Sequence, residues 1–194
     1  MRESGLMFFP SLWTYIRQAL SHIPWAHWAV IGGVSLALIL LALSRKRISV
    51  YGSVALGMTV FTGLFLLDAL VLVRSLGIVQ HATNAGIDLG KEFQSVFHGS
   101  VGYRVGMLSN ILAFIPFGFF LSGFLASTRR IGSCRRIGVA TLAGFGLSLT
   151  IECLQLLLLV GFFELTDLVM NTLGAFVGAL ISVGGRKVVG ERRH

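Results

Sequence analysis

The chain is predicted to be an all-α integral membrane protein with about five transmembrane helices. Of its 194 residues 55% are hydrophobic and only 12% charged, against about 25% charged in a soluble domain. Its mean hydropathy is +0.83. Five apolar runs approach or exceed the roughly 20 residues that span a bilayer, and the basic residues fall in short clusters between them.

The first span is expected over Trp25–Leu43, within a stretch from Gln18 to Ser44 that holds no formal charge. The second covers Ile48–Val73 and is interrupted only by Asp68. The third covers Val105–Ala126 and carries no charge. The fourth, Ile137–Gly161, contains Glu152, and the fifth, Leu168–Val183, has Asp167 at its first turn. The organisation is therefore an N-terminal amphipathic segment (1–24), two spans (25–73), a loop (74–104), a three-helix core (105–185) and a basic tail (186–194).

Orientation follows from the side that holds most Lys and Arg. Strict alternation places Arg45, Lys46, Arg47, Arg129, Arg130, Arg135, Arg136, Arg186, Lys187, Arg192 and Arg193 on one side. Arg2, Arg17, Arg74, Lys91 and Arg104 are left on the other. The clusters belong in the cytoplasm, so the N-terminus and the loop from Arg74 to Arg104 are expected outside, with Trp25 and Trp28 in the outer aromatic belt. Phe9, Leu12, Trp13, Ile16 and Leu20 have helical spacing, which fits an interfacial helix or a short sixth span. The loop carries His81, Asn84, Asp88, Lys91, Glu92 and His98.

The net charge of +8 needs no nucleic acid to explain it, because cytoplasmic membrane loops look this way. No nucleic-acid partner, cofactor or metal is expected; His81 and His98 lie in a loop with no cluster at ligand spacing. Cys134 and Cys153 are read as free thiols.

An acid at bilayer depth costs about 2.5–3.5 kcal/mol on insertion scales, so it faces a partner or a wet cavity. Glu152 lies about 22 Å along the fourth span from Ile137, beyond the midplane. Gln155 is one turn further, Asp167 and Asn171 begin the returning span, and Ser109 and Asn110 begin the third. The polar side chains thus gather in the outer half. Small-residue ladders are expected to pack the last three helices: Ala140, Gly144 and Ser148 lead to Glu152; Gly174 and Gly178 lead to Ser182; Gly106, Asn110 and Ala113 lie on the third span.

Each residue also has a structural reading. Asp167 after Thr166 fits a helix cap. Asp68 is expected to snorkel or to pair with Arg74 or Arg104, and Pro116 to kink its helix. Glu152 resists such a reading, since glutamine would avoid the cost of burial. No HExxH, GxSxG, P-loop or dinucleotide fingerprint is present.

Three blocks then carry a resemblance. Ser109–Gly118 (SNILAFIPFG) is similar to the N-x-x-x-F-I-P-F-G motif of the VanZ-like family. Ser148–Gln155 (SLTIECLQ) resembles its S-x-x-x-E-x-x-Q motif, and Thr166–Gly178 (TDLVMNTLGAFVG) its T-D-x-x-x-N-T-x-G-x-x-x-G motif. Pro116, Gly118, Gly174 and Gly178 are the structural positions of those motifs, and the blocks span about 70 residues in family order. Many relatives carry an arginine shortly before the acid at 167. Here Gly161-Phe162-Phe163-Glu164 lacks it, which leaves Arg104 as the nearest outer-side cation.

The resemblance implies a multi-pass protein of the bacterial cytoplasmic membrane with an envelope role; the family's namesake is associated with resistance to the glycopeptide teicoplanin. The expected ligand-binding residues are Asn110, Glu152, Gln155, Asp167 and Asn171. Their occupant would be a membrane lipid, a lipid-linked envelope precursor or a glycopeptide. The competing readings are an enzyme on an envelope lipid with Glu152 and Asp167 as acid and base, a small transporter, and a subunit of a homo-oligomer or envelope complex. Five spans without an inverted repeat argue against transport.

Overall fold

A computed structural model of the chain describes residues 24–45, 48–72, 100–128, 131–160 and 163–191. The amphipathic segment before Pro24 and the loop histidines and acids lie outside those residues. Among the described residues five long apolar helices are present: α1 (Trp25–Ser44), α2 (Val50–Leu67), α3 (Val101–Thr128), α4 (Ser133–Leu157) and α5 (Leu165–Glu191). All five are long and apolar enough to cross a membrane.

The helix ends follow local chemistry. Ser49 caps α2, its Oγ accepting the Gly52 N–H at 3.1 Å, and the Ser100 hydroxyl accepts the Tyr103 N–H at 3.3 Å at the start of α3. Helices α3 and α4 begin about a turn before their expected starts, and α5 runs past Val183 to Glu191. The arginines used to bound the spans therefore sit on helices, where long basic side chains can reach the interface from an apolar stem. Pro116 lies inside α3 and cannot donate to the Leu112 carbonyl.

The last three helices pack through glycine. A Cβ on Gly174 would stand 2.2 Å from the Ile111 carbonyl oxygen, and one on Gly178 2.0 Å from that of Ile115. A step of four along α5 matches a step of four along α3, so these two helices run parallel. Gly118 answers from the other side, its Cβ position 2.0 Å from the Ala175 carbonyl oxygen. Gly144 of α4 makes room for the Ala175 methyl, its own Cβ position being 2.3 Å from the Ala175 Cβ, while Ser148 bonds Asn171. Here a step forward on α4 is a step back on α5, and the pair is antiparallel. Helix α5 is thus the centre of the bundle, with Phe114, Phe117, Ile151 and Ala175 in its core.

The stripe expected on α3 is corrected. Ala113 is exposed, and a Cβ on Gly106 would meet nothing within 4 Å. The close approach uses the Ile111, Ile115 and Gly118 face instead, and Gly106 borders a cavity.

Helices α1 and α2 pack on the α3 side of this core. Trp28 lies against Phe65, ring centroids 4.9 Å apart, and both Trp25 and Trp28 are exposed. The hydroxyls of Ser35, Thr59 and Thr62 donate to carbonyls of their own helices, so these polar groups are satisfied locally.

Asp68 does not snorkel. It is buried, and its Oδ1 lies 2.6 Å from Nδ1 of His27 on α1. It also opens a π-helical turn, Asp68–Leu72, that ends α2. Removing one member of a buried pair strands the other. His27→Ala is expected to cost about 1–3 kcal/mol, discounted because the imidazole is partly exposed. Thermal unfolding in detergent would register this as a clear fall in Tm, and Asp68→Asn combined with His27→Ala should recover part of it.

Candidate functional site

Helix α4 ends in a left-handed turn. Leu159 has φ 55°, while the Val160 N–H reaches the Gln155 carbonyl at 3.0 Å and the Leu159 N–H that of Leu156 at 3.2 Å. These paired bonds close a Schellman motif with leucine where glycine is usual. Leu159→Gly should therefore raise stability by up to about 1 kcal/mol, visible as a higher Tm.

The chain then returns into α5. Glu164 is the N-cap of α5, its carbonyl accepting the Leu168 N–H at 3.2 Å. Its own N–H is held at 3.0 Å by Oε2 of Glu152, which is buried on α4. An N-cap N–H is often taken by an acid three residues later in a capping box; here the acid comes from the neighbouring helix. Asp167 occupies that third position in the first turn, so it is not the cap residue. All three carboxyl groups lie at or near the positive end of the α5 dipole, which favours negative charge.

Two further polar contacts tie this end together. Gln155 Nε2 donates to the Leu70 carbonyl at 3.0 Å. That carbonyl lies within the π-helical turn, where the change of hydrogen-bond register frees acceptors. Asn171 Nδ2 donates to Ser148 Oγ at 2.9 Å, and Asn171 Oδ1 is buried with no hydrogen-bond partner among the described residues. Gln155→Leu should strand the Leu70 carbonyl and lower stability by about 1–3 kcal/mol, measurable by thermal unfolding.

These residues enclose one cavity of about 180 Å³. Asn110, Glu152, Gln155, Asp167 and Asn171, the five candidates, all line it, joined by Leu70, Tyr103, Gly106, Met107 and Glu164. The antiparallel register of α4 and α5 explains the acids: one step beyond Ser148 and Asn171 brings Glu152 level with Asp167. Glu152 lies about 28 Å along α4 from Ser133, closer to the helix end than the expected span implied. Four lining residues escaped sequence reasoning; Met107 lies in an apolar run that gives it no signal. Tyr103 fell in the expected loop because Arg104 ended the apolar run, Glu164 lay before the expected helix, and Leu70 enters through its backbone. Arg104 is exposed and is not among the lining residues.

The volume sets a scale. Pockets for whole small molecules run about 300–1,000 Å³, so this one matches a headgroup or a single sugar rather than an entire glycopeptide.

Comparison with known proteins places these motifs. Residues 4–186 match VanZ/LLP1, nearly the whole chain. The chain belongs to the VanZ/LLP1 family. The match takes in the first two spans, which carry none of the three motif blocks. Protein VanZ of Enterococcus faecium is 33% identical over 72 residues, 37% of this chain and 40% of that protein. The chain thus spans about two fifths of the length of this curated relative. No solved structure matches the chain. It is a multi-pass membrane protein of the VanZ family.

Proposed function

We propose that this VanZ-family protein works in the bacterial cytoplasmic membrane and serves the cell envelope by holding the headgroup of a lipid, or the polar head of a lipid-linked glycan or lipophilic glycopeptide. The observation that carries this reading is the convergence of Asn110, Glu152, Gln155, Asp167 and Asn171 from three helices on one cavity. Buried polar side chains are costly in a membrane and typically line substrate or ion pathways. The distribution of Lys and Arg supports an outer-half position, because the cavity lies at the helix ends opposite Arg45, Arg135, Arg136 and Arg186. A lipid already in the bilayer would enter from the side, its acyl chains remaining among lipid.

Gentle extraction followed by identification of co-purifying lipids tests the reading. The wild type should retain a defined lipid class, and Glu152→Ala should lose it while remaining folded. Equal retention by Glu152→Ala, Asp167→Asn and Asn110→Ala would sink it.

A second reading has one observation in its favour: Glu152 and Asp167 border the same cavity, as an acid and a base must. An enzyme on an envelope lipid would lose turnover in Glu152→Gln while retaining binding. A pure binding protein would show no turnover of labelled envelope lipids in either form.

A further inference from the structure

A second cluster of charge lies at the end of the bundle opposite the cavity. Counting the α4–α5 register back from Gly144 on Ala175 brings Ser133 level with Arg186, so Arg135, Arg136 and Arg186 share that end. Arg45 joins them, because it follows α1 shortly before Ser49 caps α2, and Tyr51 in the first turn of α2 meets Arg186. The acidic side chains of the described residues belong to the other end. Asp68 follows α2, and Glu152, Glu164 and Asp167 line the cavity.

Arg186 is exposed, but contacts from two other helices set its direction. Its guanidinium carbon lies 4.5 Å from the centroid of the Tyr51 ring. That ring rests in turn on α3, where a Cβ on Gly123 would stand 2.6 Å from the Tyr51 hydroxyl oxygen. Glycine at 123 thus makes room for the ring, and the ring carries the cation. A ring covers one face of a guanidinium, while its five N–H donors point outward in the plane. One nitrogen reaches the Gly123 carbonyl at 3.5 Å, the outer limit of a hydrogen bond. No carboxylate pairs with Arg186 among the described residues. An arginine that merely snorkels needs only water at its head; a fork held in one direction with donors to spare suits a phosphate. Beside it, Val50 and Val54 stand exposed one turn apart on α2.

We propose that this end of the bundle binds an anionic phospholipid, its phosphate held by the guanidinium edge of Arg186 and an acyl chain laid along Val50 and Val54. Basic groups where helices meet the membrane surface attract anionic headgroups. Arg45, Arg135 and Arg136 add an attraction that a net-negative headgroup feels and a zwitterionic one largely does not. A soluble phosphate would gain the guanidinium and nothing from the apolar face. None of the cavity-lining residues takes part, so this site stands or falls apart from the one at the other end.

Native mass spectrometry of the full-length chain, titrated with defined lipids, tests this. Phosphatidylglycerol should bind about tenfold more tightly than phosphatidylcholine with the same acyl chains, a preference of about 1.4 kcal/mol. Arg186→Gln should erase the preference. Arg186→Lys should keep only part of it, since a point charge cannot present the planar fork. Tyr51→Leu should weaken phosphatidylglycerol binding severalfold, whereas Tyr51→Phe, which keeps the ring, should bind as the wild type does. Arg135→Gln, exposed at the same end, should leave the preference in place. Equal losses in Arg135→Gln and Arg186→Gln would show diffuse charge instead of a site and overturn the proposal. So would equal binding of the two lipids by the wild type, or displacement of phosphatidylglycerol by millimolar inorganic phosphate.

Discussion

Gly178→Leu is expected to abolish folding, and Gly178→Ala to lower stability by about 1–3 kcal/mol. The Cβ of alanine would stand 2.0 Å from the Ile115 carbonyl oxygen and 2.8 Å from the Phe119 backbone nitrogen. Neither atom belongs to a side chain that can rotate away, so α3 and α5 must separate along their whole contact. Without a hydrophobic force between helices inside a bilayer, close backbone approach supplies most of the association. Gly118→Ala meets the Ala175 carbonyl at 2.0 Å and should behave alike. Gly146→Ala and Gly184→Ala meet nothing within 4 Å and should be neutral or raise Tm, since alanine is the better helix former by about 0.5–1 kcal/mol. Thermal unfolding in detergent across these variants would check both signs. Equal losses at all four positions would contradict the packing.

The second large effect is at Glu152. Glu152→Ala removes the oxygen that accepts the Glu164 N–H across the α4–α5 turn, leaving the N-cap of α5 without that partner. A loss of about 1–3 kcal/mol is expected, together with at least a tenfold loss of ligand retention. Glu152→Gln keeps a carbonyl oxygen for the N–H and should recover most of the stability. It removes the negative charge, so retention should stay low. The two variants thus separate scaffold from site: if Glu152→Gln restores both stability and retention, the residue's charge has no part in binding.

Much of this architecture was legible in sequence because membrane physics writes it there. About 20 apolar residues mark a span whatever its neighbours are, and a helical step of four placed Ser148 and Glu152 on one face. The opposite directions of α4 and α5 then followed from alternation, while their register, Gly144 on Ala175 and Ser148 on Asn171, is set by packing. Span ends were displaced by about a turn because Arg104, Arg135, Arg136 and Arg186 were treated as boundaries, whereas each continues a helix. The contact of His27 with Asp68 was not legible. It joins residues far apart in the chain, and a histidine in an apolar run gives no sign of which helix it will meet. The π-helical turn was equally hidden, since it depends on where α2 meets Gln155. Gly106 shows the limit of pattern reading: small residues spaced by four mark either close contact or open space, and only the neighbouring helix decides.

One measurement tests the central claim most directly, that the cavity faces the outer side and holds a ligand. A cysteine at Gly106, where added atoms meet open space, would be placed in a background lacking Cys134 and Cys153, both exposed. Intact cells would be treated with a membrane-impermeant thiol reagent. The account predicts labelling of Gly106→Cys from outside, slowed by added lipid of the class that co-purifies with the wild type. Gly132→Cys, before α4, should label only after permeabilisation. Labelling of Gly132→Cys from outside, with Gly106→Cys reached only from within, would contradict the claim.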